Sequence, residues 1–268
     1  KIFLKQRVNF LVVRGRDYRL AEGGCVGERH PPSAFAVRCL LSAVRCMYIE
    51  LHTSSAFSFL DGASLPEALV DRAAELGYPA LALIDRDGVY GIPRFHKAAT
   101  AAGIRPIVGA ELTIDSGQPA AGSRQPAESA ASRQLPAASW SLPLLVSSAE
   151  GYRNLCGLVT RMKLRAPKGE GALALDELEG RTAGLVALAG REALRGARHG
   201  VGGLLDRLIG LFGRDNVYIE LQRHLYRDQE ADRQALRDLA SAFHVPLVAT
   251  NGVRFAAPGD RPLYDVLT

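Results

Sequence analysis

The sequence predicts an α/β fold whose strands run parallel, as a barrel or a wound sheet, and three observations predict it. Seven short apolar runs alternate with amphipathic stretches and are joined by short connections. Polar residues of metal-ligand type recur at the carboxyl ends of those runs, where barrel enzymes build their sites. At 268 residues with 47% hydrophobic content, the chain is also long enough to bury one large core.

Taken in order, residues 1–46 stand apart. They begin without methionine, mix charges into an apolar run, and continue through the turn-rich GGCVGERHPPS. We read them as a non-native, poorly ordered extension, a regulatory arm being the alternative, and place the domain proper at 47–268. A strand over 48–52 ends on His52. Ser64, Pro66 and Glu67 read as a capping-box start for a helix over 64–76, and Gly77 as its stop. A strand over 80–85 delivers Asp85, followed by Arg86 and the turn pair Asp87-Gly88. A helix over 92–102 stops at Gly103, and the next strand, 105–114, carries Glu111.

The stretch 115–141 breaks this rhythm. Its Ala, Ser, Pro, Gly and Gln cannot bury enough surface to offset ordering, so it reads as a long flexible insert. Strands follow over 143–148, 184–190, 217–222 and 246–251, with helices over 149–161, 201–212 and 228–243. Residues 164–179 read as a weaker loop region with a short helix near 176–179. In the strand over 217–222, Glu220 points either into the barrel or into a structural role.

Charge and cysteines exclude more than they suggest. The net charge is +5, but residues 1–46 alone carry +6 and the remainder −1, so the basic balance is no DNA footprint. No apolar run approaches the ~20 residues of a membrane span. Cys25, Cys39, Cys46 and Cys156 form no CxxC pair and read as free thiols in a reducing cytoplasm. Phosphate-loop, nucleophile-elbow and dinucleotide fingerprints are missing, and GVGG at 200–203 reads as a loop cluster. His30, His96, His199 and His244 receive no role.

The phrases YIELHTSSAFSFLDGAS, LGYPALALIDRDGVYGIPRFHKAATAAGIRPIVGAEL, GYRNLCGLVT, GLVALAG, YIELQRH and PLVATNGVRFAAPGDRPLYDVLT occur in that order from about Met47 to the end. Together they resemble the PHP domain at the start of bacterial C-family replicative polymerases, closest to the error-prone branch. The resemblance implies a PHP-type distorted (βα)7 barrel. For the parent family it implies DNA-directed DNA synthesis past lesions, in damage-induced replication and repair, with Mg2+. It also implies that this chain is an N-terminal fragment without the palm, fingers and thumb. The absent palm is then its partner, and primer–template DNA binds only the full-length protein.

Intact PHP sites hold two or three Zn2+ or Mn2+ ions that activate water for phosphoester hydrolysis. Here the family's His-x-His reads His52-Thr53-Ser54, its Asp-His reads Asp85-Arg86, Arg191 follows Gly190, and its closing Asp-x-His reads Gly252-Val253-Arg254. A guanidinium has no lone pair for a metal. Arg86, Arg191 and Arg254 are therefore expected to pair with Asp61, Asp85 and Glu111, with ion pairs replacing metals. His52 and His224 survive as structural histidines more readily than as ligands. No catalytic residue, metal or cofactor is expected in this chain. The rivals are a stand-alone metallophosphoesterase and an Arg-lined module binding a phosphate or nucleic-acid end. All the family positions sit at strand ends, so His52, Asp85, Glu111, Arg191 and Arg254 are expected around one cavity.

Overall fold

In the computed structural model, the described residues are 48–115, 139–167, 171–196, 201–226 and 229–267. The expected N-terminal extension, with three of the four cysteines, and the expected insert apart from its two ends lie outside them.

The elements follow the predicted alternation closely. They are α1 (Pro66–Glu75), β1 (Ala80–Arg86), α2 (Ile92–Ala101), β2 (Arg105–Asp115), β3 (Ser139–Val146), α3 (Ala149–Arg165), β4 (Leu173–Ala174), β5 (Leu185–Ala189), α4 (Arg191–Gly196), α5 (Val201–Phe212), β6 (Val217–Gln222), α6 (Gln229–Phe243), β7 (Leu247–Thr250) and α7 (Arg261–Leu267). The short helix expected in the loop region is a 3-10 turn, Leu175–Leu178. Gly77 and Gly103 end their helices with φ of +71°, a conformation only glycine adopts without cost.

The sheet runs β1-β2-β3-β5-β6-β7, with β4 beside β2. Two expectations need correction. First, β3 is antiparallel to both β2 and β5, so the sheet is not uniformly parallel. Asp115 pairs with Ser139. The insert therefore joins two strand ends that already lie side by side, as a hairpin loop does, and the reversal follows from that. The insert is shorter than read, because both strands extend into its ends.

Second, the strand expected over 48–52 forms only isolated parallel bridges, Glu50 to Leu81 and Thr53 to Val253. Its backbone still does the joining work. Ala82 N–H donates to Glu50 O, Ile84 N–H to Thr53 O, and Val253 N–H to His52 O. This segment thus links β1 to the chain following β7, bringing the two edges of the curled sheet together in a distorted barrel. Edge groups otherwise open to solvent are satisfied in this way.

Strand alternation divides the core. Outward residues of β2, β3, β5 and β6, such as Leu112, Leu144 and Ile219, pack against Leu158, Leu208 and Leu236 of α3, α5 and α6. Leu81 and Leu83 of β1 pack against Val70 and Phe95 of α1 and α2. The barrel interior holds its own apolar plug of Leu51, Ala82, Ile84, Leu145, Val186, Leu188 and Val248. Each large side chain so buried contributes about 1.5–3 kcal/mol.

Ser64 does not cap α1. The N-cap is Leu65, without a side-chain bond, while Pro66 holds the first turn as read. The Ser64 hydroxyl instead donates to Asp260 and accepts from the Ala256 N–H, tying the first loop to the chain after β7.

Candidate functional site

Above the apolar plug, at the carboxyl ends of the strands, lies a cavity of about 180 Å³. Tyr218 of β6 belongs to the plug, so two residues on, Glu220 points inward into this polar layer. Glu111 reaches it in the same way from β2, beyond Ile107. His52 enters from the closing segment, Arg191 from the start of α4, and Arg254 from the loop after β7.

His52 is the hub. Its Nδ1 lies 2.8 Å from Glu220 Oε1, and its Nε2 lies 3.9 Å from Glu111 Oε2. Burial by itself would lower its pKa, but the charge and hydrogen bond of Glu220 and the charge of Glu111 outweigh that and push it up to about 9. His52 is therefore an imidazolium at neutral pH. Glu220 moves the opposite way. Burial would raise it, yet His52, Thr250 and Gln222 hold it below the usual carboxylate range. The Thr250 hydroxyl donates to Glu220 Oε1 at 2.6 Å and the Gln222 amide at 3.3 Å. At Gly190 an added Cβ would come within 2.8 Å of Glu220 Oε2, so this glycine leaves room for the carboxylate.

Arg254 forms the second centre. Its NH1 donates to Asp61 Oδ2 at 2.6 Å and to Ser54 Oγ at 2.8 Å, and lies 3.8 Å from Glu111 Oε2. Ser141 Oγ donates to the other Glu111 oxygen at 2.6 Å. Two buried atoms remain without a hydrogen bond here, His52 Nε2 and Glu111 Oε2.

Four of the five residues expected around one cavity line it: His52, Glu111, Arg191 and Arg254. Asp85 does not. It shares the helix-facing side of β1 with Leu81 and Leu83, because Ala82 and Ile84 take the interior. There its Oδ1 accepts from the Ser55 N–H (2.8 Å), the Ser55 hydroxyl (2.9 Å) and the Ser58 hydroxyl (2.9 Å).

The expected arginine pairing also needs revision. Arg254 takes Asp61 and lies near Glu111, as read, but Arg191 pairs with Asp232 of α6. Arg86 is exposed and off the cavity, its N–H donating to Ser58 Oγ. His224 is likewise exposed outside the cavity, and Gly252 sits at φ +61° against the Gln222 amide.

Sequence reasoning missed Glu50. It is 1% exposed and accepts from the Tyr48 hydroxyl (2.6 Å) and the backbone N–H groups of His52 (2.9 Å) and Asn251 (3.0 Å). Burial raises its pKa despite those donors. The alternation Tyr48-x-Glu50-x-His52 was a signal that could have found it.

The metal cluster implied by the family resemblance does not fit this donor set. His52 Nδ1 is committed to Glu220 at 2.8 Å, which leaves a single ring nitrogen facing the cavity. Arg254 stands among the oxygen donors where a cation would sit. Among the described residues, no three His, Cys, Asp or Glu side chains are grouped to hold a metal ion. No helix among them is long and apolar enough to cross a membrane.

Comparison with known proteins gives the following. A family model described as PHP domain matches residues 50–224. The error-prone DNA polymerase of Cutibacterium acnes is 39% identical over 223 residues, covering 78% of this chain and 18% of that protein. Its counterpart in Anaeromyxobacter sp. is 39% identical over 226 residues, covering 82% and 18%. That of Mycolicibacterium paratuberculosis is 38% identical over 225 residues, covering 81% and 20%. The chain thus spans about a fifth of the length of the curated relatives it matches. Among solved structures, an amidohydrolase from Chromobacterium violaceum aligns with a TM-score of 0.51 at 19% identity, covering 79% of this chain and 88% of that one. A candidate metal-dependent phosphoesterase from Bifidobacterium adolescentis aligns at 0.50 and 16%, covering 78% and 89%. These two likenesses show the fold alone.

Proposed function

This chain belongs to the PHP domain family, and from that premise we propose that it is the PHP domain of an error-prone DNA polymerase, with a structural role in place of phosphoester hydrolysis. The whole protein would carry out DNA-templated synthesis past lesions in the cytoplasm, during damage-induced repair. Its palm would supply the Mg2+-dependent nucleotidyl transfer and rest on this domain. Sequence similarity to three error-prone polymerases over about four fifths of the chain supports the parent activity.

The observation that carries the structural role is the occupation of the cavity by the protein's own charges. His52 lies between Glu220 and Glu111, and Arg254 between Asp61 and Glu111. Hydrolysis by such a site needs metal ions to generate the nucleophile and to neutralise the phosphoryl oxygens. Its ligand positions hold Ser54, Arg86, Arg191, Gly252 and Arg254 instead.

The test is direct. The purified chain is incubated with a chromogenic phosphodiester and with a single-stranded oligonucleotide, each with added Mn2+ or Zn2+. No turnover above the metal alone is expected, and release of product that scales with protein concentration overturns the structural role. A metallophosphoesterase is the second reading, drawing on the retained His52, Glu111 and Glu220, and the same assay decides it. A primer-extension assay on this chain should likewise show no incorporation, since the synthetic chemistry is assigned to the palm.

A further inference from the structure

Three oxygens from three separate segments converge on one donating nitrogen. Arg254 NH1, from the loop after β7, meets Ser54 and Asp61 from the closing segment and the loop beyond it, and Glu111 from β2. Ser54 is fully buried and Glu111 is 5% exposed. Without a positive charge at this point, two carboxylates would face each other across a partly desolvated site, which is strongly unfavourable. The guanidinium also leaves its coverage incomplete. Glu111 Oε2, at 3.8 Å, is too far for a hydrogen bond and has no other partner, and neither has His52 Nε2 beside it. Of these two buried atoms, Glu111 Oε2 is an oxygen aimed into the cavity, and it marks a place where a different cation could be held more fully than the arginine manages.

We propose that Arg254 is the resident cation of this site: its guanidinium does the electrostatic work of a bound divalent ion, and in doing so keeps such an ion out. This inference rests on the metal-free structural reading above and deepens it, naming the residue responsible. Guanidinium and metal exclude each other for a simple reason. Arginine stays charged at any accessible pH and has only donors, so it cannot share the oxygens with a second cation. Removing it leaves Asp61, Glu111 and the Ser54 hydroxyl around the vacated point. That is an oxygen set suited to a hard ion such as Mn2+. The ammonium of a lysine would keep the charge and go on excluding the ion.

The experiment compares the full chain with Arg254→Ala, Arg254→Lys and Arg254→Gln, each stripped with chelator, by calorimetric titration with Mn2+ and by thermal melting with and without ~1 mM Mn2+. The unsubstituted chain and Arg254→Lys should take up no Mn2+ and melt unchanged. Arg254→Ala should melt lower without metal and regain at least about 5 °C with it, as expected for an ion binding only the folded state. Adding Asp61→Asn to that variant should abolish the gain. If Arg254→Ala does not fold, Arg254→Gln, which keeps the length and loses the charge, carries the same expectation. A neutral variant that folds yet gains no Mn2+ affinity overturns the resident-cation proposal and leaves the metal-free reading standing. Tight Mn2+ binding by the unsubstituted chain overturns both.

Discussion

Two buried carboxylates at the carboxyl end of this sheet, Asp85 and Glu220, are satisfied by opposite means. Asp85, on the helix side of β1, is held by neutral donors alone, an N–H and two hydroxyls from the loop at Ser55 and Ser58. Glu220, on the barrel side of β6, is held by an imidazolium with a hydroxyl and an amide in support. Dipoles tie a loop down without a countercharge. A buried ion pair binds two elements more strongly but only while both partners stay charged. The carboxylate that lines the cavity is of the second kind, and that difference can be pressed experimentally.

The largest effect is expected from Glu220→Ala. It strands the His52 charge and leaves Thr250 and Gln222 without their acceptor. Loss of one partner of a buried pair costs about 3–5 kcal/mol, read as a fall in the urea midpoint. A cost under about 1 kcal/mol would mean that the pair is not holding the sheet together.

Next comes pH. The folded pKa of His52 is raised to about 9, so its contribution is complete below the ordinary histidine pKa near 6.5 and is lost as pH rises through the folded value. Stability should decline by about 3 kcal/mol between pH 7 and pH 10. His52→Gln should flatten that decline. An equally steep slope in the variant would assign it to other groups.

Asp85→Ala should cost less, about 2 kcal/mol, for three buried donors losing their acceptor. A control between β2 and β3 completes the series. Doubling the length of 116–138 with Gly and Ser should cost only about 0.6 kcal/mol, because its ends at Asp115 and Ser139 are already paired. A larger loss would mean that the stretch packs on the domain.

The legible part of this molecule was its periodicity. The apolar runs over 105–114 and 217–222 are strands that carry Glu111 and Glu220, since hydrophobic runs report strands, although the direction of Glu220 stayed open. His52 sits between isolated bridges and not on a strand. Asp85 was misplaced because a strand end has two faces. The parity in LALID puts Leu81, Leu83 and Asp85 on one side, opposite Ala82 and Ile84. Other features lie beyond any local pattern. The Arg191–Asp232 pair joins helices 41 residues apart in the chain. The direction of β3 was hidden because the polar stretch before it carries no tight-turn signature. The closing segment read as a strand because its composition is that of one, although its neighbours grant it only two bridges.

The seam made by that segment has a consequence for how the chain is born. Glu50 meets the Asn251 N–H across 201 residues, and Ser54 meets Arg254 across 200. Contacts so distant in sequence are slow to form. During synthesis at ~5–20 residues per second, the first rim residues wait on the order of 10–40 s for their partners to leave the ribosome. Through that interval Glu50, His52 and the outer margin of the closing segment lack the groups that later cover them. The nascent protein therefore passes through a stage with an open margin and unmatched charge, when chaperone capture or mispairing with another chain competes with closure.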